Sequence, residues 1–87
     1  MKFDWDESKN LSNIEKHGLD FEQAIQLFNN DLLSVPDLRF DYTESRYTGY
    51  GKIDGRLMVV VYTERLPDII RIISFRKAND REQKIYK

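Results

Sequence analysis

Residues 47–77 read YTGYGKI-DG-RLMVVVYTER-LPD-IIRIISFRK, and the fold follows from this stretch. Asp54-Gly55 between two β-rich runs is the strongest short-range hairpin signal, because a type I′ turn needs positive φ at both central residues. Leu57 to Tyr62 is continuously apolar and rich in β-branched residues, the pattern of a strand covered on both faces. It is therefore expected to be the central strand, with Arg46–Ile53 and Ile69–Lys77 beside it. These strands end in polar and charged residues: Thr63, Glu64 and Arg65 close one, and Ser74, Arg76 and Lys77 close the next. A sheet that is apolar in the middle and cationic at its ends can hold positive charge rigidly towards a ligand.

Towards the N-terminus, Phe3 and Trp5 alternate with charged neighbours, which suggests a short edge strand with one buried face. Asp6 can cap a helix running to about His17, with Leu11 and Ile14 as its apolar stripe and Gly18 as its stop. Asp20 caps a second helix, with Gln23 at the capping-box position. In that helix Phe21, Ala24, Ile25 and Phe28 are spaced i, i+3, i+4 and i+7 along one face, and Asn29-Asn30-Asp31 ends it. Leu32–Val35 reads as a further short strand stopped by Pro36, and residues 37–45 read as the main loop. After the meander, Asn79 begins a last short helix with Glu82 as its capping partner. The expected fold is α+β: an antiparallel sheet of three main strands plus short N-terminal strands, packed with two N-terminal helices and a short C-terminal helix.

Eighty-seven residues are expected to make one domain with a core large enough to fold independently. The absence of cysteine excludes disulfides and cysteine-based metal sites. Leu57–Tyr62, the longest apolar run, is far too short to span a bilayer, so no membrane association is expected and the cytoplasm is the default location. The net charge of −1 conceals an asymmetry. Residues 1–44 hold ten acidic and four basic side chains, whereas residues 45–87 hold five acidic and ten basic. A basic sheet-and-tail half beside an acidic helical half fits a polyanion-binding surface on a near-neutral protein. It also fits an ordinary solvated mixture of charges.

An ordered set of motifs runs through nearly the whole chain: Phe3-x-Trp5-Asp6-x-x-Lys9, Lys16-His17-Gly18-x-x-Phe21, Glu44-x-Arg46, the turn at Asp54-Gly55-Arg56, Val61-Tyr62-Thr63-Glu64-Arg65, and Arg71-Ile72-Ile73-Ser74-x-Arg76-Lys77-Ala78. In this set the sequence resembles the BrnT family of toxins of type II toxin–antitoxin systems. The resemblance implies a RelE-like fold and metal-independent cleavage of RNA, with no cofactor. It also implies neutralisation by a BrnA-type ribbon-helix-helix antitoxin in a heterotetramer that contacts DNA only through the antitoxin. Phe75 departs from the family pattern, which has a small residue there, and this bears on the packing beside Arg76.

Four residues are candidates for catalysis: His17, Glu44, Arg65 and Arg76. Cleavage of RNA by its own 2′ hydroxyl passes through a phosphorane with added negative charge, which the fixed guanidinium groups of Arg65 and Arg76 can stabilise. The bland alternative is two exposed arginines that keep a sheet edge from aggregating. His17, the single histidine, can donate a proton to a leaving 5′ oxygen or accept one from a 2′ hydroxyl; alternatively it caps its helix. Glu44 can orient His17 or an arginine, act as general base, or simply pair with Arg46. Lys9, Lys16, Arg46 and Lys77 are candidate phosphate contacts. Tyr86 is a candidate for stacking on a base, or for packing on the sheet.

Other chemistries fit poorly. Gly49-x-Gly51 lies within a strand and opens no helix, so it is not a dinucleotide loop but a mark of a bulge or close approach. Pro36-Asp37 with Glu82-x-Lys84 resembles a metal-dependent nuclease pattern, yet the latter pair falls on a predicted helix. No Cys/His cluster for zinc is present, and no metal is expected. A non-catalytic module acting as corepressor with a DNA-binding antitoxin is the alternative from another class, and a degenerate, inactive toxin is a third.

Overall fold

The structure, a computed structural model, describes residues 1–37, 45–65 and 67–86. Elements follow in the order β1 (Lys2–Trp5), α1 (Glu7–His17), α2 (Phe21–Ala24) continued by a 3₁₀ segment (Ile25–Asn29), β2 (Leu33–Pro36), β3 (Arg46–Ile53), β4 (Arg56–Arg65), β5 (Ile69–Lys77) and α3 (Asp80–Ile85). The five strands form one sheet in the order β1-β5-β4-β3-β2. As the apolar run requires, β4 lies at the centre, with Val59 and Val60 both buried on opposite faces. Asp54 and Gly55 turn β3 into β4 with φ of 51° and 80°.

Three expectations change. The sheet is mixed, not antiparallel: β1 runs parallel to β5, with Phe3 beside Ile70 and Trp5 beside Ile72. The short strand expected at Leu32–Val35 is instead Leu33–Pro36, taking in the proline expected to stop it, and pairs as an edge to β3. The second helix is one α turn that tightens into 3₁₀ form, although its Asp20–Gln23 capping box is present as read.

The apolar stripe assigned to α1 is also corrected. Leu11 and Ile14 face outward, while Asn10 and Asn13 are buried. The physical reason lies in hydrogen bonds. The pairing of β1 with β5 stops at Ile72, so the next stretch of the β5 edge needs another partner. Asn13 supplies it: its Nδ2 donates to the Phe75 carbonyl at 2.7 Å and its Oδ1 accepts the Phe75 N–H at 3.2 Å. The same Nδ2 lies 3.0 Å from the Leu19 carbonyl. One turn earlier, Asn10 Oδ1 accepts the Phe21 N–H at 2.9 Å and its Nδ2 donates to Asp20 at 3.1 Å, which fixes the start of α2.

Cross-strand pairing divides the sheet side chains into two faces. The core face carries Met58, Val60 and Tyr62 of β4 with Ile70, Ile72 and Phe75 of β5, and packs under Phe21, Ala24 and Leu27. Gly49 and Gly51 leave room there for Leu32 and Leu27, whose methyl groups would lie 3.0 Å from an added Cβ at each position. The second face carries Arg46, Thr48, Tyr50 and Lys52 of β3 opposite Thr63, Val61, Val59 and Leu57 of β4. A bulge in β5 at Ile73, opposite Val61 and Tyr62, reverses the alternation, so that Phe75 points into the core and Arg76 stands beside Val59 on the second face. Phe75, fully buried, therefore packs away from Arg76 rather than against it.

Candidate nucleic-acid interface

Among the described residues, one end of the second face is covered by the chain that follows β5. Leu57, Val59 and Ala78 form a small apolar cluster with Tyr50 and Tyr86. There the chain reverses after β5: the Ala78 N–H donates to the Leu57 carbonyl at 3.0 Å, and Arg56 donates to the Ala78 carbonyl at 2.9 Å. Asn79 caps α3, which lies back over the sheet and contains no buried residue. Tyr86, just beyond it, stacks on Tyr50 with ring centroids 3.9 Å apart and planes 13° from parallel. Burial, and then the bond to Tyr86, push the Tyr50 phenol above its ordinary pKa.

Beyond α3 the same face becomes cationic in rows. Arg76 stands beside Val59, Ser74 beside Val61, Arg71 beside Thr63, and Ile69 beside Arg65. Arg46 completes the Thr63 row from β3. Arg71 pairs with Asp4 at 3.2 Å. Thr63 is buried, and its hydroxyl has no hydrogen-bond partner among the described residues. Val59 and Arg65 are six positions apart, about 20 Å along a strand. Arg65 and Arg76 thus share a face but stand too far apart to clamp one phosphate together.

Arg76 is held on this face by a carboxylate. Its Nη1 and Nη2 donate to Glu82 Oε1 and Oε2 at 2.7 and 2.9 Å, a bidentate pair. That pairing raises the guanidinium pKa further and lowers the Glu82 carboxyl pKa. Both residues line a groove of about 330 Å³ with Val35, Pro36, Asp37, Thr48, Tyr50 and Val61. The guanidinium edge, the phenol ring and a floor of short side chains suit an anionic group joined to a flat apolar one.

The other candidates distribute as follows. Arg46 is half-buried and Arg65 exposed, both on the arginine face. Tyr86 borders the groove system through its stack on Tyr50. Lys77 pairs with Met58 and so projects on the core-face side, beside Phe75. His17 and Lys16 are exposed in the last turn of α1, and Lys9 is exposed nearer its start. Since α1 stands at the β5 edge, the described contacts do not bring His17 to Arg76. Glu44 lies outside the described residues.

Sequence reading took Glu82 as a helix cap and as part of a rejected Glu82-x-Lys84 pattern, and it did not single out Arg71, Thr48 or Tyr50. The available signal for Glu82 was weak. An N3 acid in a helix whose cap lies three residues after an arginine near a strand end can meet that arginine only if the helix turns back.

A family model described as "Ribonuclease toxin, BrnT, of type II toxin-antitoxin system" matches residues 5–82. The fold is similar to the crystal structure of the ribonuclease toxin BrnT of Brucella abortus. The TM-score is 0.74 and the identity 29%, covering 92% of this chain and 99% of that chain. No curated protein matches the sequence. Among the described residues, no helix is long and apolar enough to cross a membrane.

Proposed function

The chain belongs to the BrnT family of ribonuclease toxins of type II toxin–antitoxin systems, and from that premise we propose that its arginine face binds RNA and cleaves it without a metal. In this reading a 2′ hydroxyl attacks the adjacent phosphate, the 5′ oxygen leaves, and a 2′,3′-cyclic phosphate results. The observation that carries it is Arg76, a half-exposed guanidinium on a packed strand, lining a groove beside an aromatic ring. A fixed cation of this kind needs no reorganisation as charge develops on the phosphorane, and loss of one such donor costs about 10²–10³ in rate. Arg65 and Arg46, farther along the face, would hold other phosphates of the same strand, a change from a joint role for Arg65 and Arg76 at one phosphate.

Proton transfer by His17 requires an RNA strand that passes round the β5 edge. Glu44 stays a candidate base from its motif, Glu44-x-Arg46. Lys9, Lys16 and Lys77 would serve as outlying phosphate contacts, and Tyr86 would stiffen Tyr50 or offer its ring to a base. A BrnA-type ribbon-helix-helix antitoxin would neutralise the toxin in a cytoplasmic heterotetramer and provide the only contact with DNA.

A second reading, a binding module without cleavage, gains from one feature: the Glu82 carboxylate already occupies part of Arg76. Cleavage of RNA in EDTA by the purified protein, beside Arg65→Ala and Arg76→Ala, decides between them. Metal-free cleavage is expected to leave cyclic or 3′ phosphates and to fall about 10²–10³-fold in Arg76→Ala. Intact RNA, with no growth arrest by the parent protein in cells, would put the binding module first, and growth arrest retained by Arg76→Ala would remove Arg76 from the site.

A further inference from the structure

The seat of Glu82 on Arg76 has a geometry that points beyond an ion pair. A guanidinium carries five N–H bonds in one plane. Glu82 takes one from each terminal nitrogen, and the Lys77 carbonyl lies 3.3 Å from Nη1 for its second proton. Two N–H bonds remain, that of Nε and the outer one of Nη2, parallel along one edge of the plane. Among the described residues no acceptor takes either. They form a second fork of the kind that binds two oxygens of a carboxylate or phosphate. The Arg76 side chain is 35% exposed and borders the groove.

Glu82 is itself held in place. Its Oε1 also accepts the Asn79 N–H at 2.9 Å, while its own N–H donates to Asn79 Oδ1 at 2.8 Å. The carboxylate is thereby tied to the first turn of α3, and α3 is tied to the sheet by the Tyr86–Tyr50 stack.

We propose that Glu82 is a positioning residue: it grips one fork of Arg76 so that the other fork, Nε–H with the outer Nη2–H, is presented to two non-bridging oxygens of one phosphodiester. This rests on the reading that Arg76 stabilises the cleaved phosphate. A carboxylate beside the arginine lowers the net charge of the site, so the gain is in direction. A guanidinium on a flexible stem must be ordered when substrate arrives, whereas one gripped beforehand meets the phosphorane already aligned. Lysine, with no second fork, cannot replace Arg76 on this account.

The test compares the purified protein with Arg76→Ala, Arg76→Lys, Glu82→Ala, Glu82→Gln and Asn79→Ala. Two readouts are used: single-turnover cleavage of RNA, and the Arg76 Nε–H resonance during titration with a non-cleavable 2′-deoxy oligonucleotide. Glu82→Ala is expected to slow cleavage about 10²-fold while half-saturation changes less than about threefold. Glu82→Gln, which keeps one acceptor oxygen, recovers part of the rate, and Arg76→Lys is as slow as Arg76→Ala. Asn79→Ala loses the side-chain cap but keeps the backbone N–H bond to Glu82 Oε1, so it slows cleavage far less than Glu82→Ala. The Nε–H resonance shifts with oligonucleotide in the parent and in Asn79→Ala, and not in Glu82→Ala. A Glu82→Ala enzyme as fast as the parent or faster, or with an unchanged Nε–H response, overturns the positioning role, as does an Asn79→Ala enzyme equally impaired. If Arg76→Ala itself cleaves normally, the site reading fails first and this inference falls with it.

Discussion

The two faces of the sheet are held by different physics. On the core face, Phe21, Leu27, Val60, Ile72 and Phe75 are almost wholly removed from water. Each such side chain contributes about 1.5–3 kcal/mol by burial alone, and none needs a particular bond direction. On the arginine face, α3 contains no buried residue and is held to the sheet by a bidentate ion pair and one ring stack, beside the small cluster of Leu57, Val59 and Ala78. Those contacts are directional, and each contributes on the order of 1 kcal/mol or less. The core face therefore sets stability and the arginine face sets geometry, and mutation can separate the two.

The sharpest break of that comparison is Phe21→Ala. It should lower the unfolding free energy by about 3–5 kcal/mol, read from the denaturant midpoint at unchanged slope. A loss below about 1 kcal/mol would remove α2 from the core. Asn13→Ala comes next at about 2–3 kcal/mol, because it strands the Phe75 N–H and carbonyl on an unpaired edge. Asn13→Leu should not restore the loss; if it did, the site would be apolar packing and not edge pairing. Leu11→Glu, on the outward side of α1, should shift stability by no more than about 0.5 kcal/mol. A large loss there would return Leu11 to a buried stripe.

The smallest effect is a pH response confined to α3. Pairing with Arg76 depresses the folded-state pKa of Glu82 below its ordinary 4.5. The stabilisation is then complete above the ordinary carboxyl range and is lost as pH falls through the depressed value. Acid should release Tyr86 from Tyr50, seen as a change in the Tyr86 ring resonances, and Glu82→Gln should abolish that step. An identical titration in Glu82→Gln would assign it to another carboxyl.

The features legible in the sequence were those with local causes. Asp54-Gly55 announced its turn because φ at both positions is a property of two residues. Asp6, Asp20 and Asn79 announced their helices because a cap bonds to its own first turn. The parallel pairing of β1 was not legible, since nothing in Lys2–Trp5 encodes its distance from Ile69–Ile72. Periodicity misread α1 because the buried asparagines satisfy backbone groups 6 and 62 residues away, which hydrophobic spacing cannot register. At the candidate site, Arg65, Arg76 and Arg46 were named from motifs and strand ends. The grip of Glu82 depends on α3 folding back over the sheet, a tertiary fact with only a helix cap as its trace.

The bulge at Ile73 has a consequence for how chains of this kind can lengthen or shorten. Arg71 and Arg76 are five positions apart, an odd interval that an unbroken strand would send to opposite sides. Because Ile73 is the extra residue, both arginines look the same way while Phe75 turns inward. Straightening the bulge with all residues kept would drive Arg76 into the hydrocarbon and leave the Phe75 ring in water, whereas deleting Ile73 itself would leave a regular strand with both faces in phase. A loop in this molecule can change length at little cost, whereas β5 can lose a residue in phase only at its irregular step, and a one-residue change elsewhere in the strand would exchange its faces.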